Sequence, residues 1–194
     1  MHDKEFKLEP QKVKKVHTNY RKINGTIPSP GTEELIKKLQ KYESRSMQGQ
    51  IPLVWDHATN FSIFDHYGNK WIDFSSTIFV ANVGHANNKI IRRVKEMLDK
   101  PLVHTYAYPN KIRAQYLEKL LTFAGDNFQK AFLLSAGTEA TEGVLKLMRM
   151  YGQVQSKRKL GIICIEGNWH GRTMGAQLMS NNENQKKWIG FNDK

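Results

Sequence analysis

The sequence predicts an α/β protein, with a helix-flanked and mainly parallel sheet in its second half and a hairpin-bearing segment before it. Two observations predict this. From residue 131 the pattern runs apolar strand (131–134), amphipathic helix (138–151), apolar strand (160–165). Strands that alternate with helices pair in parallel and are covered on both faces. Upstream, residues 61–74 alternate apolar and polar side chains and turn at Tyr67-Gly68-Asn69, which is the pattern of a hairpin.

The elements follow in order. Residues 1–27 are polar, lysine-rich and weakly periodic, and are expected to be a mobile arm or a packing tail. Ser29-Pro-Gly-Thr marks a turn, and Leu35, Ile36 and Leu39 give residues 32–42 helical spacing. After the hairpin come two amphipathic helices. Residues 87–100 set Ile90, Ile91, Val94, Met97 and Leu98 on one face, and residues 110–123 do the same with Ile112, Tyr116, Leu117, Leu120 and Leu121. Pro109 interrupts the chain before the second of these, and Gly125 stops it. Gly152 is expected to end the helix at 138–151. The chain thus divides into a basic arm (1–27), a hairpin segment (28–100) and a segment with the strand-helix-strand pattern (101–194).

Composition excludes several classes. No run of about 18 apolar residues exists, so no helix is expected to span a membrane. The N-terminus lacks an apolar secretory core, and Asp3, Glu5 and Glu9 argue against a transit peptide. A single cysteine, Cys164, lies in an apolar run and is expected to be a small buried hydrophobe, which suits a reducing cytoplasm. The net charge of +12 is spread along the chain, densest between Lys4 and Lys22. Without an aromatic platform or zinc-ligand spacing it describes a solvated basic surface and no nucleic-acid partner.

The chemistry concentrates in two motifs. In Ser135-Ala-Gly-Thr-Glu-Ala140 a strand passes through a small-residue turn into a helix. Gly137 lets the backbone approach a ligand, Thr138 offers an N–H and a hydroxyl, and the first helical turn directs unpaired N–H groups at an anion. About thirty residues on, Asn168-Trp-His-Gly-Arg-Thr173 sets an aromatic and a guanidinium around a glycine. The two together suit a flat phosphorylated cofactor, its phosphate in the first and its ring against the second. Taken alone, Gly137 is a turn glycine, Thr138 a helix cap, Trp169 a core side chain and Arg172 half of a surface ion pair.

In this order and spacing the two motifs resemble those of the class III aminotransferases, pyridoxal-phosphate enzymes of fold type I (the aspartate-aminotransferase fold). Asp65-His-Tyr-Gly-Asn-Lys-Trp-Ile-Asp-Phe74 is similar to the family's N-terminal hairpin, and Asn82-Val-Gly-His85 to the segment after it. The resemblance implies pyridoxal 5'-phosphate as cofactor, with Gly137 and Thr138 on its phosphate, Trp169 on its ring and Arg172 on a carboxylate of glutamate or 2-oxoglutarate. It implies transfer of an amino group between a small-molecule amino donor and a keto acid, by a homodimer. Ala136 stands where serine is frequent, and Phe79 and Thr77 where small residues line the pocket mouth. His170 is structural or catalytic; His85 is structural, helping to start the helix that follows.

The lysine that bonds to the cofactor and the aspartate that pairs with its pyridine nitrogen find no candidate here, and Lys146 is better taken as a solvated helix residue. The resemblance is therefore to an N-terminal portion of such an enzyme, inactive by itself. A mutase, racemase or decarboxylase on the same fold, or a non-catalytic interaction module, remain the alternatives.

Overall fold

The computed structural model describes residues 6–47, 51–100, 102 and 104–190. Residues 1–5 of the basic arm and the terminal 191–194 lie outside the described residues. The chain forms two compact units, Met1–Tyr106 and Ala107–Lys194.

In the first unit seven short strands make two antiparallel arrays. β1 (Gln11–Lys12) pairs with β4 (Thr26–Ile27) as a two-stranded ribbon. β2 (Val16–His17), β3 (Lys22–Ile23), β7 (Lys70–Ile72), β6 (Ser62–Phe64) and β5 (His57–Thr59) form a five-stranded sheet in that order. The expected hairpin is β6–β7, in the register Ser62↔Ile72, Ile63↔Trp71, Phe64↔Lys70. Its turn is an Asx turn. The Asp65 carboxylate accepts the Tyr67 N–H at 3.0 Å and the Asn69 N–H at 2.9 Å, and Gly68 takes φ 79°.

Residues 6–27, expected as a mobile arm or a packing tail, carry β1 to β4 and join the hairpin sheet through β3. Asn69 has no exposed surface, and its side-chain oxygen accepts the Asn24 N–H at 2.7 Å. That bond ties the arm to the hairpin turn, so β3 is captured as the neighbour of β7. A buried amide must find a partner, and the arm supplies it. Among the described residues, Ile23, Pro28 and Ile63 are buried apolar side chains of this unit.

α1 (Thr32–Tyr42) has the expected bounds, and Glu33 and Lys37 pair at 2.6 Å one turn apart. α2 (Ser76–Phe79) is a single turn with φ between 47° and 68° at all four residues, a left-handed backbone that costs non-glycine residues roughly 1–2 kcal/mol each. Asp73 holds the start of this turn, accepting from the Ser75 N–H at 2.8 Å, the Ser75 hydroxyl at 2.7 Å and the Ser76 N–H at 3.1 Å. α3 (Asn88–Leu98) is capped by the Asn87 side chain, which accepts from Lys89 N at 3.0 Å. Its apolar face (Ile90, Val94, Leu98) is as expected in sequence but exposed to solvent.

The second unit contains α4 (Lys111–Ala124), α5 (Gly137–Gln155), α6 (Met174–Leu178) and α7 (Glu183–Lys186). Three expectations need correction here. Residues 131–134 and 160–165 carry no strand. A parallel strand needs a neighbour for every backbone group, and among the described residues this unit has no strand to offer. Cys164 accordingly is exposed, as are Ile163 and Ile165. Gly152 does not end α5 but lies buried within it. A Cβ there would stand 2.3 Å from the Lys159 carbonyl oxygen, so the glycine admits the following turn against the helix. Among the described residues no helix is long and apolar enough to cross a membrane.

Candidate active site

The first motif forms the start of α5. Ala136 is the N-cap residue, with extended backbone (φ −146°, ψ 162°), and it makes no side-chain cap. Alanine cannot accept a hydrogen bond, in contrast to Asn87 and Asn110, whose side chains cap α3 and α4. The first N–H groups of a 19-residue helix thus lack the usual side-chain acceptor at the positive end of the helix dipole. A Cβ at Gly137 would meet no protein atom within 4 Å, so the space beside the first turn is wide enough for a ligand oxygen.

Two acidic residues flank this start. Glu139 reaches back to the Ser135 N–H at 2.8 Å, a variant of the capping box. That N–H, with the Ser135 hydroxyl and the Ala136 N–H, holds the Glu139 carboxyl below its usual range. Glu142 lies one turn beyond Thr138 on the same face. It accepts from the Thr173 hydroxyl and, at 3.0 Å, from the Ala176 N–H.

The second motif is folded onto that face. Gly171 has φ 135°, and a Cβ there would lie 2.4 Å from Thr138 Oγ1 and 2.6 Å from its Cγ2. Thr138 therefore does not cap the helix; its side chain packs on the backbone of the loop. The Arg172 guanidinium lies 5.7 Å from the centre of the half-exposed Trp169 ring. His170 is fixed through its backbone, donating to the Ser180 hydroxyl at 3.1 Å, and that hydroxyl donates to the Ala176 carbonyl at 2.9 Å. Both polar side-chain atoms of Asn168 are buried without a hydrogen-bond partner in the described chain.

The fold thus joins Thr138 to the loop that carries Trp169 and Arg172, with Gly137 on the adjoining turn. Lys146 is exposed further along α5. Glu142 and Ser180 escaped the sequence reading. Glu142 had a signal, its i, i+4 spacing from Thr138; Ser180 had none.

His85 and Phe79 lie in the first unit. His85 Nε2 donates to Asp73 Oδ2 at 2.7 Å, both side chains being nearly buried. The imidazole, followed by the Ser75 hydroxyl and N–H, lowers the Asp73 pKa from 3.8 to about 2. The His85 backbone bridges Asn60, and its ring meets Trp55 edge-on at 5.8 Å. Phe79 is exposed on the left-handed turn.

Comparison with known proteins decides the family. The family model described as aminotransferase class III matches residues 43–192. The chain belongs to the class III aminotransferases. It is 34% identical over 179 residues to the mitochondrial acetylornithine aminotransferase of Candida glabrata, covering 88% of this chain and 42% of that protein. It is 31% identical over 163 residues to the ornithine aminotransferase of Halalkalibacterium halodurans, covering 82% of this chain and 40% of the relative.

The ornithine aminotransferase of Toxoplasma gondii superimposes with a TM-score of 0.74 at 17% identity, over 87% of this chain and 40% of that one. At that identity the likeness speaks for the fold, which is that of fold-type I aminotransferases. The chain spans about two fifths of the length of these relatives.

Class III aminotransferases are pyridoxal-phosphate enzymes. The chain's residues suit that cofactor on three counts: an α5 start with no side-chain cap, open space at Gly137, and an aromatic face beside a guanidinium.

Proposed function

We propose that this chain is the N-terminal portion of a pyridoxal-phosphate transaminase and supplies one wall of its active site. The observation that carries the proposal is the packing of Gly171 on Thr138, which joins the ring-binding loop to the phosphate-binding helix start. Pyridoxal phosphate, when bound, supplies the electron sink that amino-group transfer needs. The chain's own groups bind and orient. The N–H groups of Gly137 and Thr138 would hold the phosphate, where the helix dipole favours negative charge, while the Thr138 side chain packs on the loop. Trp169 covers one face of the ring. Arg172 holds a carboxylate of glutamate or 2-oxoglutarate with two parallel N–H···O bonds.

Ornithine and acetylornithine share a primary amine at the far end of a five-carbon acid, and an amine of that class is the donor we propose. The lysine that bonds to the cofactor belongs to the remainder of the relatives' length, so the chain alone is inactive. The complete enzyme is a homodimer in this proposal, with residues 67–85 reaching toward the partner. One cysteine in the chain suits a cytoplasmic setting.

Equilibrium dialysis of the chain against pyridoxal 5'-phosphate tests the site. Saturable binding weakened by Trp169→Ala supports it; no saturable binding overturns it. Borohydride reduction of the mixture tests the division of labour. A single stoichiometric lysine adduct in the reduced sample, together with transamination by the unreduced mixture, would show that the chain carries its own catalytic lysine.

A further inference from the structure

We propose that Glu142 is a positioning residue, setting where Trp169 and Arg172 stand relative to the start of α5. The inference rests on the proposed cofactor reading for the purpose of the site, while the contact itself is a property of the chain.

The geometry begins with an exchange of partners. Thr173 is the N-cap residue of α6, with extended backbone, and its hydroxyl would ordinarily accept the N–H of the third helical residue, Ala176. It makes no such bond. Instead it donates to Glu142 Oε1, and the same oxygen accepts the Ala176 N–H at 3.0 Å. One carboxylate oxygen on α5 thus caps α6 from outside and binds the residue that should have capped it. The approach is close: a Cβ at Gly175 would lie 2.4 Å from Glu142 Oε2 and 2.6 Å from Leu145 Cδ2, so those side-chain ends would have to shift to admit one.

Glu142 and Thr138 are four residues apart, so they share a face of α5. Thr138 receives Gly171, and Glu142 receives Thr173 and Ala176. Arg172 lies between these two attachments, with its guanidinium over Trp169. With the loop held on both sides of Arg172, neither the ring-stacking nor the carboxylate-binding group can shift along α5 without breaking one of them. Glu142 touches neither cofactor nor substrate in this scheme and acts only through the loop.

Hydrogen exchange by mass spectrometry on the 194-residue chain, with pyridoxal 5'-phosphate dialysis in parallel, tests the proposal. Glu142→Ala removes both bonds. Amides 171–178 should then exchange about 10- to 150-fold faster, the factor that corresponds to a charge-assisted hydrogen bond, with α4 unchanged. Glu142→Gln keeps an acceptor oxygen at the same reach and should return exchange to within about tenfold of the parent. A rescue of that kind separates an acceptor role from generic packing.

If Glu142→Ala also loosens α4, Thr173→Val decides. It deletes one of the two bonds without touching α5, and should speed exchange at 171–174 alone. Cofactor affinity should fall in Glu142→Ala and recover in Glu142→Gln. Parent-like exchange across 168–178 in both Glu142→Ala and Thr173→Val would overturn the proposal. Failure of the parent chain to bind pyridoxal phosphate would count against the cofactor reading and leave the exchange result to decide Glu142.

Discussion

Gly171→Ala is the sharpest perturbation of this site. The added Cβ would stand 2.4, 2.6 and 2.9 Å from Oγ1, Cγ2 and Cβ of Thr138. Threonine in a helix is confined to few χ1 rotamers, and its Cβ cannot move without the helix. The loop must therefore yield. Overpacking of this kind costs about 1–3 kcal/mol, and a non-glycine residue at φ 135° adds about 1–3 kcal/mol of backbone strain. The sum, about 2–6 kcal/mol, is of the same order as or larger than the roughly 1.5–3 kcal/mol of a charge-assisted bond to Glu142, so the loop should loosen on α5 while the helix persists. Hydrogen exchange across 168–178 should rise at least tenfold, with α4 as the internal reference. Pairing the change with Thr138→Ala removes Oγ1 and Cγ2 and should recover about 1–2 kcal/mol, leaving the backbone term. Unchanged exchange in Gly171→Ala, or no recovery in the double variant, would refute the packing argument.

Gly137→Ala should leave the stability of the chain unchanged or slightly raised, because its Cβ meets no protein atom. It should weaken pyridoxal phosphate binding tenfold or more in dialysis, since the methyl group occupies the phosphate's approach; equal affinity would remove Gly137 from the cradle. In the complete enzyme Arg172→Lys should lower kcat/KM for glutamate or 2-oxoglutarate by about 10–150-fold, as one of two parallel bonds is lost. Equal losses for substrates without that carboxylate would make Arg172 structural. Asp73 sets a pH dependence. Its folded pKa of about 2 lies below the ordinary 3.8, so its stabilising effect is present above pH 4 and lost as pH falls toward 2. The full shift corresponds to about 2 kcal/mol. The urea midpoint of the parent should approach that of Asp73→Asn over this range, and a constant gap would exclude the carboxylate as its source.

What the sequence made legible was local. The bounds of α1, the turn at Tyr67-Gly68-Asn69 and the starts of α3 and α4 are each set within a few residues, by spacing, glycine and short polar side chains. The 131–134 and 160–165 runs failed as strands because a strand is a relation between segments, and these have no partner among the described residues. β3 was missed for the converse reason. Its anchor is a hydrogen bond from Asn24 to Asn69, 45 residues away, and no local pattern reports it. At Gly152 the residue type was read as a stop, whereas the constraint came from Lys159 packing across the helix.

The two motif glycines show how far such reasoning reaches. Gly137 was legible as a point of close backbone approach and Gly171 only as the glycine between an aromatic and a guanidinium, and for neither could the sequence say what approaches. At Gly171 it is the chain itself, with three atoms of Thr138 inside 3.0 Å. At Gly137 no protein atom lies within 4 Å of the missing side chain, and no side chain caps the helix start. Gly171 is thus constrained by the fold, and Gly137, in the proposed site, is left to the ligand. Substitution should separate them accordingly, with stability lost at Gly171 and affinity at Gly137. In the proposed site the division runs through Thr138, whose N–H would face the phosphate while its methyl and hydroxyl face the loop. A cofactor held by the backbone of α5 would thereby be set in register with a ring and a guanidinium carried about thirty residues later. That register, more than any one side chain, is what we propose this chain contributes to the enzyme.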